Sequence, residues 1–108
     1  MKNVRVILSP EAEEVYNYLN EQASTSKTEK MILNAINKKV ELIKANHHYG
    51  HPISKNLIPQ EYKDKYDVKN LFRVELPNFW RMLYTLTEGE TKAEIISFVL
   101  DMFYRTEK

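Results

Sequence analysis

Residues 4 to 8, Val-Arg-Val-Ile-Leu, are a short β-branched run that ends at Ser9-Pro10-Glu11. A hydroxyl cap, a proline suited to the first helical position and an acid at the positive helix end coincide there, so a strand should feed directly into a helix. Within that helix Ala12, Val15, Tyr16 and Leu19 keep the i, i+3, i+4, i+7 spacing of one buried stripe, and Ala23-Ser24-Thr25 ends it. Ser26-Lys27-Thr28-Glu29 has the form of a capping box and opens a second, longer helix. Ile32, Ala35, Ile36, Lys39, Val40 and Ile43 mark its inner side, with Gly50 and Pro52 expected to stop it. So short a link between the helices predicts a helical hairpin.

Residues 50 to 69 carry prolines, a glycine and mixed polar residues, and read as a long, largely irregular connection of the kind that often carries function. Three apolar runs follow, Asn70 to Leu76, Phe79 to Thr87 and Ala93 to Leu100, separated by Pro77-Asn78 and Glu88-Gly89-Glu90. They predict consecutive antiparallel strands. Alternation places Phe72, Val74 and Leu76 on one face, toward the helices, with Arg73 and Glu75 on the other; in the next strand Trp80, Met82, Tyr84 and Leu86 oppose Phe79, Arg81, Leu83 and Thr85. The expected fold is α+β, in the order β-α-α-β-β-β. A helical hairpin covers one face of a small antiparallel meander, the first strand is free to join the sheet, and the opposite face is open to an extended polymer. Asp101 to Lys108 fit either a strand extension or a short tail helix.

At 108 residues and 43% hydrophobic content the chain supports one domain, residues 1 to 108, with a core that needs no staples. It has no cysteine, which excludes a disulfide scaffold, a thiolate metal site and a cysteine nucleophile, and fits a reducing cytoplasm. No apolar run approaches the roughly 18 residues of a membrane span, and no signal-peptide stretch is visible. The net charge is only +1, but it is unevenly spread. Met1 to Ser26 and Val74 to Lys108 are each −2, whereas Lys27 to Arg73 is +5 and holds all three histidines.

Arg81 is the residue that alternation leaves least explained, because it sits mid-strand between Trp80 and Met82, where burial favours something else. Two readings stand: a cross-strand ion pair with Glu75, or a guanidinium held rigidly to grip a phosphate. Arg73 invites the same pair. His47-His48-Tyr49-Gly50-His51 offers an i, i+4 histidine pair, but Gly50 and Pro52 interrupt the helix and no carboxylate completes a metal spacing, so contact with RNA or with a helix end is the better reading for His51. With only two glycines there is no phosphate-binding glycine loop.

The run Lys69-Asn-Leu-Phe-Arg73-Val-Glu-Leu-Pro-Asn-Phe-Trp-Arg81-Met-Leu-Tyr84 resembles the central hairpin of the RelE/ParE toxin superfamily, in which a strand with basic residues leads through a tight turn into an aromatic-Arg-x-x-Tyr strand. The order of elements agrees over nearly the whole chain. The resemblance implies a toxin of a toxin-antitoxin pair, in most such proteins a cytoplasmic, ribosome-associated endoribonuclease that cuts mRNA and so inhibits translation, with the RNA's own 2′-hydroxyl as nucleophile and no metal or small-molecule cofactor. It assigns Arg81 to the phosphorane charge, Arg73 to the same task or to the backbone, and Lys55 to holding RNA. Relatives carry a His or Tyr after the last strand; here Tyr104 stands in for it, with Arg105 as a phosphate contact. Tyr84 is expected to pack in the core. The partners implied are a cognate antitoxin laying an amphipathic segment over the sheet, and the ribosome with mRNA. The alternative within the same superfamily is a non-catalytic module, either a ParE-like inhibitor of a topoisomerase or a degenerate homologue that binds only an antitoxin.

Overall fold

A computed structural model describes residues 3–105 of the chain. Strand β1 (Asn3–Leu8) runs into helix α1 (Pro10–Gln22), and α2 (Lys27–Ala45) follows. Ser9 makes the first transition in two ways. Its Oγ accepts from the Ala12 N–H at 3.0 Å as the helix cap, and its hydroxyl donates to the Leu100 carbonyl at 2.7 Å, tying the helix start to the sheet. Ser26 caps α2, accepting from the Glu29 N–H at 3.4 Å. The two helices pack side by side, and Tyr16 donates to Asn37 across them at 2.8 Å.

Helix α2 ends earlier than Gly50. Asn46 leaves the helical conformation and its side chain accepts from the His48 N–H at 3.1 Å, an alternative to the helical ladder that asparagine favours. All three histidines therefore lie beyond the helix. Gly50 serves a different purpose: a Cβ there would stand 3.0 Å from a Tyr84 ring carbon and 3.1 Å from the Arg73 carbonyl, tight enough that a neighbour would have to shift. The Tyr84 hydroxyl accepts from the Gly50 N–H and donates to the His47 carbonyl, both at 2.9 Å. Tyr84 is fully buried and stacks on Phe72, as the core reading expects.

The connection is more ordered than its composition suggests. It holds β2 (His51–Pro52), a single 3₁₀ turn (Lys55–Leu57) and α3 (Gln60–Tyr66). Gln60 bonds to Asp64 one turn on at 2.9 Å, and Asp67 adopts the left-handed conformation that closes a helix. Strands β3 (Phe72–Glu75), β4 (Trp80–Glu88) and β5 (Glu94–Tyr104) then form the meander, with Asp101 to Tyr104 extending the last strand. Residues 106–108 of the tail lie outside the described ones.

Among the described residues the sheet has five strands in the order β1-β5-β4-β3-β2. It is mixed, not a purely antiparallel meander, because β1 pairs parallel to β5 from Asn3 opposite Glu94 to Leu8 opposite Val99. The crossover that parallel pairing requires is here everything between Leu8 and Glu94. The helical face is filled by Ala12, Leu19, Ile32, Ile36 and Ile43 against Phe72, Val74, Met82, Tyr84, Val99 and Met102.

The far face is not open as expected. Ile58, Val68, Leu71, Leu83 and Leu100 are buried there, with Ile53, Tyr62, Tyr66, Phe98 and Phe103 packed around them. The apolar residues of the connection had no helical face to join, and burying each such side chain is worth about 1.5–3 kcal/mol. This second layer covers the middle of the face and leaves charged residues at its β3-β4 hairpin end.

Candidate nucleic-acid interface

Three strands deliver arginines to that end. Arg73 and Glu75 leave β3 on the far face, and Arg81 is the direct cross-strand partner of Glu75 on β4. Arg105 follows β5, and its N–H donates to the Phe79 carbonyl at 2.6 Å. How Arg105 reaches this face depends on a bulge. Leu83 pairs with Asp101 but Tyr84 pairs with Val99, so Leu100 is an extra residue in β5. Side-chain parity therefore switches after it: Asp101, Phe103 and Arg105 join the far face, while Met102 and Tyr104 turn to the helical one.

The arginines converge on one carboxylate. Arg73 Nε and Arg81 Nη2 approach Glu75 Oε2 at 3.1 and 3.2 Å, and Arg105 Nη1 lies 3.9 Å from Oε1. Three guanidiniums thus gather around one carboxylate. Arg81 is the most enclosed, with 21% of its side chain exposed, against 47% for Glu75. The Nε groups of Arg73 and Arg81 are shielded from solvent, yet neither makes a hydrogen bond within the described residues. At Arg73 the N–H is close to Glu75 but not aligned with it. The structure thus shows the first of the two readings of Arg81, the cross-strand ion pair with Glu75.

A cleft of about 290 Å³ adjoins the cluster at the edge of β3, where β2 covers only Phe72 and Arg73. Lys39, Tyr49, His51, Arg73 and Glu75 line it. His51 is exposed and sits directly opposite Arg73 in the β2-β3 ladder. Lys39 Nζ donates to the Tyr49 hydroxyl at 3.0 Å and lies 5.4 Å from that ring's centre. The signal for Lys39 was present in the sequence, as a lysine on an otherwise apolar helical stripe.

At the hairpin tip Asn78 and Phe79 have φ of 57° and 63°. Asparagine tolerates this region; a bulky residue there costs roughly 1–2 kcal/mol. Phe79 is 58% exposed, with the Arg105 guanidinium 5.8 Å from its ring centre. The aromatic-Arg-x-x-Tyr pattern gave no reason to single out this position.

Of the residues singled out from sequence, the structure gathers Arg73, Arg81, Arg105 and His51. It does not bring the other two to them. Lys55 is exposed on the 3₁₀ turn and lines a separate recess with Lys63 and Lys69. Tyr104 is 60% exposed opposite Trp80, on the helical side of the sheet.

A distinct acidic recess lies under α3. Glu11 is held by Lys65 and by the Tyr66 hydroxyl at 2.6 Å, which lower its pKa from 4.5 to about 2. Burial, with Glu11 and Glu61 nearby, raises that of Asp101.

Comparison with protein-family models, curated proteins and solved structures returns no match to this chain. No helix among the described residues is long and apolar enough to cross a membrane.

Proposed function

We propose that the chain is a RelE-like toxin that binds single-stranded RNA at the arginine cluster and cleaves it without a metal ion. The observation that carries this reading is the convergence of Arg73, Arg81 and Arg105 on Glu75, with the shielded Nε–H donors of Arg73 and Arg81 unused among the described residues. Guanidiniums fixed on strands suit a phosphodiester, because they need no reorganisation as charge builds on the phosphorane. Arg81 holds the non-bridging oxygens of the scissile phosphate, and Arg73 and Arg105 hold the neighbouring phosphates of the strand. The 2′-hydroxyl oxygen attacks phosphorus, its proton passes to the His51 imidazole, and the bond to the 5′ oxygen breaks. That oxygen takes a proton from solvent, giving a 2′,3′-cyclic phosphate and a 5′-hydroxyl. An imidazole suits this role because its unprotonated ring nitrogen can accept the proton directly. The ribosome supplies the RNA, and a cognate antitoxin covers the site.

Two observations favour a second reading, a non-catalytic module of the same fold directed at a topoisomerase or only at an antitoxin. Guanidiniums hold both oxygens of Glu75, and Tyr104 is on the other face. Inducing the protein without its partner and mapping mRNA ends separates the two. New ends inside translated codons that vanish with Arg81→Ala support the nuclease. Growth arrest with intact messages overturns it in favour of the second reading.

A further inference from the structure

We propose that Phe79 is a stacking platform for an unpaired base of the strand whose phosphates the arginines hold. The inference rests on the RNA-binding reading above and adds a ligand contact to it. Two features of Phe79 oppose folding. Its backbone is in the left-handed region that glycine or asparagine would occupy without strain, and its ring is 58% exposed. Neither is repaid by core packing among the described residues, where Phe79 belongs to no buried cluster. Arg105 lies against the ring at 5.8 Å and reaches toward Glu75 at 3.9 Å, so the platform and the cationic cluster are one continuous surface. An aromatic face beside a guanidinium is the combination that single-stranded nucleic acids use, because every base has a π-face and every nucleotide a phosphate. Double-stranded RNA is excluded as the ligand, as its bases are already stacked.

The test uses the full chain with fluorescently labelled 2′-O-methyl oligouridylate, which resists cleavage through the 2′ position, and an abasic phosphodiester of equal length. Binding is followed by anisotropy and folding by thermal melting. Wild type should prefer the base-bearing oligomer about tenfold. Phe79→Gly should bind both oligomers at the abasic level and melt several degrees higher, roughly 4–8 °C, because the left-handed strain is released. Phe79→Leu keeps the strained backbone and apolar bulk, and should lose the preference without gaining stability; Phe79→Trp should retain it. A base preference that survives in Phe79→Gly and Phe79→Leu overturns the stacking role and leaves RNA binding standing. Wild type that binds neither oligomer, or binding indifferent to Arg81→Ala, overturns the RNA reading and the platform with it.

Discussion

Replacing Glu75 by Gln should weaken the fold and expose the anion site in the same step. The carboxylate holds Arg73 and Arg81 at 3.1 and 3.2 Å and Arg105 at 3.9 Å. An exposed ion pair contributes about 0.2–1 kcal/mol, whereas removing one partner of a buried pair costs about 3–5 kcal/mol. With Arg81 21% exposed and Glu75 47% exposed, the network lies between these limits. A loss of about 2 kcal/mol is expected, or a fall in Tm of roughly 10 °C for a domain of this size. Arg73 and Arg81 then lose the carboxylate that holds them, so an added anion should take its place. Inorganic phosphate at about ten times its Kd should return about 1.4 kcal/mol to the variant, and clearly less to wild type, where Glu75 already fills the position. Differential scanning fluorimetry over a phosphate series, with chloride matched for ionic strength, reads both effects. A variant that melts within about 2 °C of wild type, or one that phosphate stabilises no more than wild type, would show that Glu75 is not the counter-ion of this cluster.

Four further outcomes follow from the same geometry. Tyr84→Phe removes the hydroxyl that joins Gly50 and His47 and should cost about 1–3 kcal/mol in chemical denaturation, since the buried Gly50 N–H loses its acceptor and the bond to the part-buried His47 carbonyl is lost. Ser9→Ala removes both the α1 cap and the bond to the Leu100 bulge, and should cost about 1–2 kcal/mol by the same measurement. Glu11 and Asp101 should act with opposite sign on stability against pH. The Glu11 pKa is lowered to about 2 by Lys65 and Tyr66, so its stabilisation is full above about 4.5 and disappears as the pH falls through 2; Glu11→Gln should be destabilised at pH 7 and match wild type near pH 2. The Asp101 pKa is raised by burial, so its charged form opposes folding at neutral pH; Asp101→Asn should be more stable than wild type at pH 7, with the gain vanishing below the ordinary aspartate range.

Local chemistry made much of the fold legible. Ser9-Pro10-Glu11 and Ser26 mark helix starts through capping, and the alternation Phe72, Val74, Met82, Tyr84 places the helical core, because these signals act over a few residues. Parallel pairing of β1 with β5 was not legible, since the partners are some 90 residues apart in sequence. Helix α3 was hidden by its length of seven residues, too few for a periodic stripe to stand out, and with it the covering of the far face. The site shows the effect of one residue. Without the extra Leu100 in β5, parity would send Tyr104 to the arginine face and Arg105 to the helical one; the bulge reverses this, and no side-chain pattern in the last strand announces it. Arg73 and Arg81 were legible because a charge on a central strand needs a reason. His51 comes to them through a two-residue strand that composition concealed.

The most direct test of the anion site is the salt dependence of binding to a single-stranded RNA analogue. Anisotropy titrations of full-length protein with 2′-O-methyl oligouridylate across a chloride series give a slope of log K against log salt, expected near −2 if Arg73, Arg81 and Arg105 each meet a phosphate, and shallower by about 0.7 in Arg81→Ala. An unchanged slope in a folded Arg81→Ala protein would contradict the assignment, because the RNA would then be held elsewhere on the surface.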